Sequence, residues 1–120
     1  MKRLGLGMIA LAMSAGAAWA AEPAKMSGGM WTDASGMTLY TFDKDESGKS
    51  ACYDKCATNW PPLKAEAGAA AEGDWTVVER KDGSKMWVYK GNPLYTFIGD
   101  KKGGDANGDG KAGGLWHIAK

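Results

Sequence analysis

The chain is 120 residues long and carries 15 basic and 14 acidic side chains. The length admits one small domain rather than several. A near-neutral balance lacks the basic stripe that marks nucleic-acid binding, so nucleic acid is excluded as the expected partner.

Lys2 and Arg3 precede an apolar run from Leu4 to Ala12, and Ala18-Trp19-Ala20 follows as a small-x-small site. That order predicts a secretory signal peptide over residues 1–20, cleaved before Ala21. The apolar run is too short to cross a bilayer, so no membrane span is expected after cleavage. No cysteine lies near the cleavage site, and the expected location is therefore periplasmic or secreted, without a lipid anchor. Removing the leader leaves 13 basic and 14 acidic residues, a net charge of −1. Five tryptophans remain in the mature chain (Trp31, Trp60, Trp75, Trp87, Trp116), and they read first as large plugs of a small core.

Residues 21–29 read as a mobile N-terminal tail, and residues 30–120 as a single domain. Asp33-Ala34-Ser35-Gly36 carries turn chemistry, which places Trp31 and Leu39 on the two arms of a hairpin. Met37 to Phe42 alternates polar and apolar residues and predicts a strand, with Tyr40 and Phe42 sharing one face. A polar loop from Asp43 to Ser50 follows. Ser50 is the expected N-cap of a short helical turn through Cys52 and Cys56, stopped by Pro61-Pro62. Residues 64–74, rich in Ala, Gly and Glu, form a connector. Trp75 to Arg80 and Lys85 to Tyr89 predict two strands around Asp82-Gly83, a pair favoured in type I′ turns. Lys90-Gly91-Asn92-Pro93 turns the chain into a third strand, Leu94 to Ile98. Asp100 to Gly114 is a long loop, and Leu115 to Ile118 a last short strand.

This order contains a repeat. Leu39-Tyr40-Thr41-Phe42 returns as Leu94-Tyr95-Thr96-Phe97, 55 positions later, with Asp45 and Asp100 at the same distance behind each copy. Trp60 and Trp116 occupy corresponding ends. The expected fold is small and all-β: two pseudo-repeated antiparallel meander units, 30–63 and 75–120, packed on each other, with one short helical turn at the cysteines.

Several side chains carry candidate chemistry. Cys52 and Cys56 are the only cysteines, and in an exported chain they read as a structural disulfide. Two alternatives stand beside it: a redox-active pair, or thiols that bind copper together with His117 and the methionines. Asp105-Ala106-Asn107-Gly108-Asp109-Gly110 fits the first half of a calcium loop, with oxygen ligands expected from Asp105, Asn107 and Asp109. Asp43-Lys44-Asp45-Glu46-Ser47-Gly48 fits the same half-pattern through Asp43, Asp45 and Ser47, with Asp54 at its twelfth position. The bidentate Glu of a full loop is absent from both. No constellation for nucleophilic, metal-hydrolytic or phosphate chemistry can be placed, so the chain is not expected to be an enzyme.

Tyr40-x-Phe42-x-x-Asp45 and Tyr95-x-Phe97-x-x-Asp100 resemble the paired motifs of a bacterial secreted-repeat family, whose members are also described as predicted lipoproteins of unknown function. The resemblance extends through Gly48-x-Ser50-x-Cys52-x-x-x-Cys56 to Trp60-Pro61-Pro62-Leu63, through Gly91-x-Pro93-Leu94-Tyr95, and through Gly108-Asp109-Gly110 to Trp116-His117. The chain differs from the lipoprotein members in lacking a lipobox cysteine. The resemblance implies export and a tandem β repeat, and it implies no activity. The expected function is thus an exported binding or interaction module of the cell envelope, whose partner is an envelope protein or a small ligand. The competing expectation is a periplasmic accessory protein handling calcium or copper, or redox equivalents. If a site exists, the ends of the two acidic loops, Asp45 and Asp100, are where the sequence places it.

Overall fold

The computed structural model describes residues 23–66 and 68–120. The expected signal peptide lies outside the described residues. Strand β1 (Lys25–Ser27) pairs antiparallel with β2 (Met30–Thr32), Met26 opposite Trp31. The sequence had put residues 25–27 in a tail. Ala24 beside them is 2% exposed and packs with Leu39, Leu94 and Ala119, which ties this segment to a core.

After β2 the Asp33 carboxylate accepts the N–H groups of Ser35 and Met37, both at 2.9 Å, and closes the expected turn. Thr38 then returns opposite Thr32, and Leu39 N–H bonds Trp31 C=O at 3.0 Å. Strand β3 is Tyr40–Phe42, and α1 is a short helix, Lys55–Asn59. Strands β4 (Trp75–Glu79), β5 (Lys85–Tyr89) and β6 (Asn92–Pro93) form the predicted three-stranded meander, with a shorter third strand than expected. A second short helix, α2 (Lys111–Gly114), precedes β7 (Trp116–Ile118).

The fold is all-β with two short helices, and the manner in which the two copies meet is its main feature. Tyr40 and Tyr95 exchange backbone hydrogen bonds, N–H to C=O, at 2.7 and 3.0 Å. The two copies of Leu-Tyr-Thr-Phe therefore run antiparallel about a local pseudo-twofold axis. Each copy is then closed by the tail of the other. Strand β7, from the end of the second copy, pairs with β3 of the first, Phe42 opposite Trp116 and Tyr40 opposite Ile118. Leu63, from the end of the first copy, donates to Leu94 C=O of the second at 2.9 Å, matching the bond from Ala119 to Leu39 at 2.8 Å. Ile98 to Asn59 and Asp43 to Leu115 repeat the correspondence, both at 2.9 Å. Within each copy only the strand's first residue bonds back to its own hairpin, Leu39 to Trp31 and Leu94 to Trp87, and the bonds along the rest of the strand come from the other copy, which burial makes obligatory.

Three local expectations are corrected. Ser50 does not cap the cysteine helix: α1 begins at Lys55 behind Asp54, and no side chain caps it. The Ser50 hydroxyl is instead engaged with Tyr95 and Arg80. The Asp82-Gly83 turn is not type I′, because Gly83 has φ 90° but Asp82 is not in the left-handed region. Asp82 has a local alternative: its carboxylate accepts both the N–H and the hydroxyl of Ser84, at 2.9 and 2.6 Å, a pull that also holds it below the usual carboxylate range. Helix α2 lies in the predicted loop, where its glycines and the left-handed Ala112 and Gly113 gave no helical signal.

Candidate functional site

Along the pseudo-axis four aromatic rings stack in the order Phe42, Trp116, Trp60, Phe97. The central indoles are 3.7 Å apart and 3° from parallel, and the outer pairs lie at 4.2 and 4.3 Å. Tyr40 meets Trp60 edge-on at 5.3 Å, and Tyr95 meets Trp116 edge-on at 5.2 Å. Each such pair contributes about 0.5–1.5 kcal/mol beyond its area burial. The motif residues Phe42 and Phe97 thus end a stack whose centre is two tryptophans that the sequence had marked only as core fillers.

The motif tyrosines and aspartates also cross between copies. The Tyr40 hydroxyl donates to Asp100 at 2.8 Å, and the Tyr95 hydroxyl donates to Asp45 at 2.7 Å. The second oxygen of each aspartate takes a backbone N–H, Asn107 to Asp100 at 2.8 Å and Ala51 to Asp45 at 2.7 Å. Both tyrosines are fully buried and Asp100 is 6% exposed. Burial pushes the Tyr40 phenol well above its ordinary range; the Gly108 N–H opposes the rise and Asp100 adds to it. Tyr95 rises for the same first reason, opposed by Ser50 and reinforced by Asp45. Asp45 is itself raised by burial, against the pull of Tyr95, Ala51 and Arg80. Both knots are satisfied, the one at Asp100 is closed to solvent and the one at Asp45 is partly buried, which suits scaffolding rather than contact with a substrate.

The remaining candidates separate. Cys52 and Cys56 form a disulfide with Cα atoms 5.2 Å apart, so the thiols that copper binding required are consumed. Asp43 pairs with His117 Nε2 at 2.9 Å on the surface, where both side chains are about half exposed. Asp105 accepts the N–H groups of Lys101 and Lys102, at 2.9 and 3.2 Å, and the Lys101 bond is the main cause holding it below the usual carboxylate range. Asn107 donates from its side chain to Gly99 C=O, and Asp109 accepts from Ile118 N–H, both at 3.4 Å. Asp54 sits at the start of α1, and Ser47 lies beside Gly91. Asp43 and Asp45 are thus engaged with His117 and Tyr95 and Asp105 with a local turn, and among the described residues no group of three or more His, Cys, Asp or Glu side chains is placed to hold a metal.

Two features escaped the sequence. One is Arg80, 4% exposed, which donates to Ser50 Oγ at 2.9 Å and to Cys52 C=O at 2.6 Å and lies 4.3 Å from the Tyr53 ring centroid. A strand-end arginine gives no sequence sign of burial. The other is an open groove of about 980 Å³ walled by Trp31, Trp75 and Trp87, with Asp33, Glu66, Glu72 and Lys64 among its lining residues. Trp31 and Trp75 meet edge-on at 5.3 Å, and Trp31 Nε1 is buried without an acceptor. The clue in the sequence was a tryptophan count high for the length, read there as core filling.

The fold and the crossed motifs define a class: a small β protein made of two copies of one unit that exchange their closing segments. A family model described as a secreted repeat of unknown function matches residues 24–64 and again 76–120, and the chain belongs to that family. No significant match to the chain is found among curated proteins or among solved structures. Among the described residues no helix is long and apolar enough to cross a membrane.

Proposed function

We propose that the chain is an exported binding module, not an enzyme, and that the tryptophan groove is its ligand site. The observation that carries the reading is an open groove walled by three partly buried indoles, one of which, Trp31, also has a buried Nε1 donor without a partner. A buried N–H without an acceptor costs about 1–3 kcal/mol, and a turn of the Trp31 ring that brings Nε1 to a ligand carbonyl in the groove recovers it. Aromatic-lined grooves with such donors suit extended, proline-containing peptide segments, whose preformed backbone exposes carbonyls. Three carboxylates against one lysine around the groove favour a basic flank on that peptide. The occupant proposed is therefore an extended, proline-containing, basic segment of an envelope protein.

Titrating synthetic peptides while following the indole side-chain N–H signals by NMR tests this. Proline-containing peptides with Lys or Arg flanks shift the Trp31 signal saturably, alanine-substituted peptides do not, and Trp75→Ala abolishes the response. A Trp31 signal that no such peptide moves, but that a soluble glycan does, refutes the peptide occupant. Export itself follows from residues 1–20 acting as a signal peptide. Sequencing the N-terminus of protein recovered from culture checks that, with Ala21 expected as the first residue.

A further inference from the structure

A second concavity lies at the hairpin of β4 and β5, lined in part by Val78 to Lys81. Arg80 is a buried cation, and a buried charge is costly unless an opposite charge meets it. Among the described residues the sole ion pair is His117 with Asp43, so Arg80 has no carboxylate at ion-pair distance. Its link to Asp45 runs through two hydroxyls: Arg80 Nη1 donates to Ser50 Oγ, Ser50 Oγ and the Tyr95 hydroxyl lie 2.6 Å apart, and Tyr95 donates to Asp45. Nη2 is spent on Cys52 C=O and the second contact of Nη1 is only the Met86 sulfur, at 3.5 Å, while Nε donates to none of the described residues.

Arg80 is one of the residues lining an open pocket of about 310 Å³. Lys49 and Lys81 line the same pocket with Ser50 and Tyr53, and Glu79 is its one carboxylate. Lys81 Nζ lies 5.4 Å from the Tyr53 ring that Arg80 also covers, so two cations crowd one aromatic ring. The Lys81 N–H donates to the Tyr53 hydroxyl at 3.1 Å and holds that ring in place. Three cations against one lining carboxylate, with Asp45 and Asp82 acting on Arg80 from outside the pocket, leave its wall positive. We propose that this pocket binds a phosphate group, free or as a monoester, with Lys49 and Lys81 contacting its oxygens and Arg80 supplying the buried charge. A dianion suits the pocket better than a carboxylate, since it answers more than one cation at once.

The test is thermal unfolding of the full mature chain in inorganic phosphate, in glycerol 3-phosphate, and in acetate or chloride at matched ionic strength. Phosphate in either form is expected to raise Tm saturably by a few degrees, beyond the chloride and acetate controls. Lys49→Ala with Lys81→Ala, both exposed side chains, is expected to weaken the apparent affinity about tenfold while leaving the Tm without phosphate unchanged. Because Arg80 also holds the Cys52 carbonyl, Arg80→Lys is read only through its phosphate-dependent shift, which is expected to shrink. Equal response to the two phosphate forms marks a free oxyanion and a stronger response to the ester marks a headgroup; either supports the site. A rise matched by chloride or acetate, or one that the double lysine variant retains in full, overturns it.

Discussion

At the Tyr40 phenol the incoming hydrogen bond is donated by the backbone N–H of Gly108, at 3.1 Å; at the Tyr95 phenol that place is taken by the Ser50 hydroxyl, at 2.6 Å. The two knots otherwise match bond for bond. The difference begins at one position. Gly108 corresponds to Cys52, and a Cβ on Gly108 would stand 2.6 Å from the Trp60 ring and 3.1 Å from Tyr40. Without that carbon the backbone reaches the phenol directly. At Cys52 the side chain keeps the backbone back, its N–H turns to Ser50 Oγ at 3.2 Å, and Ser50 bridges the gap. The following turn repeats the contrast: Gly110 has φ 81°, which glycine adopts freely, while Asp54 is held at φ 56° within the loop that the disulfide closes. One copy is thus completed by glycine and backbone. The other is completed by side chains, a covalent bond and a buried cation, and the second pocket lies beside that copy.

The shared parts are expected to respond alike. Trp60→Ala and Trp116→Ala remove the two centres of the stack, and each is expected to cost about 4 kcal/mol in denaturant unfolding. A difference much beyond 1 kcal/mol between them would show that the pseudo-symmetry of the stack is not energetic. The unshared position comes next. Gly108→Ala forces a methyl against two rings and is expected to cost about 3 kcal/mol, with loss of the direct bond to Tyr40.

Alkaline pH probes both knots together. Each tyrosine keeps its proton in the folded chain well above the value of 10 at which it ionises when unfolded. Between those values the folded state binds more protons, so stability falls as pH rises past 10. The expected slope is about 1.4 kcal/mol per pH unit for each tyrosine, and Tyr40→Phe or Tyr95→Phe is expected to halve the total. Breaking the disulfide with Cys52→Ala and Cys56→Ala sharpens the contrast further. The five-residue loop it closes limits the loss to about 2 kcal/mol, and hydrogen exchange is expected to rise around residues 50–60 while the Gly108 half stays protected.

The strands were legible because their signals are local. Met37 to Phe42 alternates, Asp33 to Gly36 turns, and the fifty-five-residue shift shows in identical letters. The exchange of closing segments was not, because nothing in Trp60-Pro61-Pro62-Leu63 states which copy of the strand it will join. Backbone pairing between distant segments is set by burial and closure of the whole, not by propensity. The acidic loops are ambiguous for a related reason. Asp105 and Asp45 lie in half-patterns of a calcium loop, but the same oxygens satisfy turn and knot N–H groups, and the pattern cannot tell the two uses apart. Arg80 was invisible because its burial depends on Tyr53, Ser50 and Cys52, 27 to 30 positions earlier in the chain.

The smallest expected effect separates the two aspartates. Asp45→Asn and Asp100→Asn each keep one acceptor oxygen and lose the other, so each leaves one donor of its knot unmet. Asp100 is buried, whereas Asp45 is partly exposed, and an unmet group near water costs less. The expected losses near neutral pH are about 2 kcal/mol for Asp100→Asn and about 1 kcal/mol for Asp45→Asn. Their pH dependence differs in kind. Burial raises Asp45 above its ordinary 3.8, so just above that pH the folded chain holds a proton that the unfolded chain has released. Stability therefore declines as pH rises through that window and levels off once folded Asp45 has ionised. Asp82 and Asp105 are shifted the other way and act below 3.8, so the windows do not overlap. Asp45→Asn is expected to flatten the decline above 3.8, measured by urea unfolding across that range. If the decline persists unchanged in Asp45→Asn, the Ser50–Tyr95–Asp45 knot does not bury its charge as the geometry implies, and the contrast between the two copies would have to rest on Gly108 and Cys52 alone.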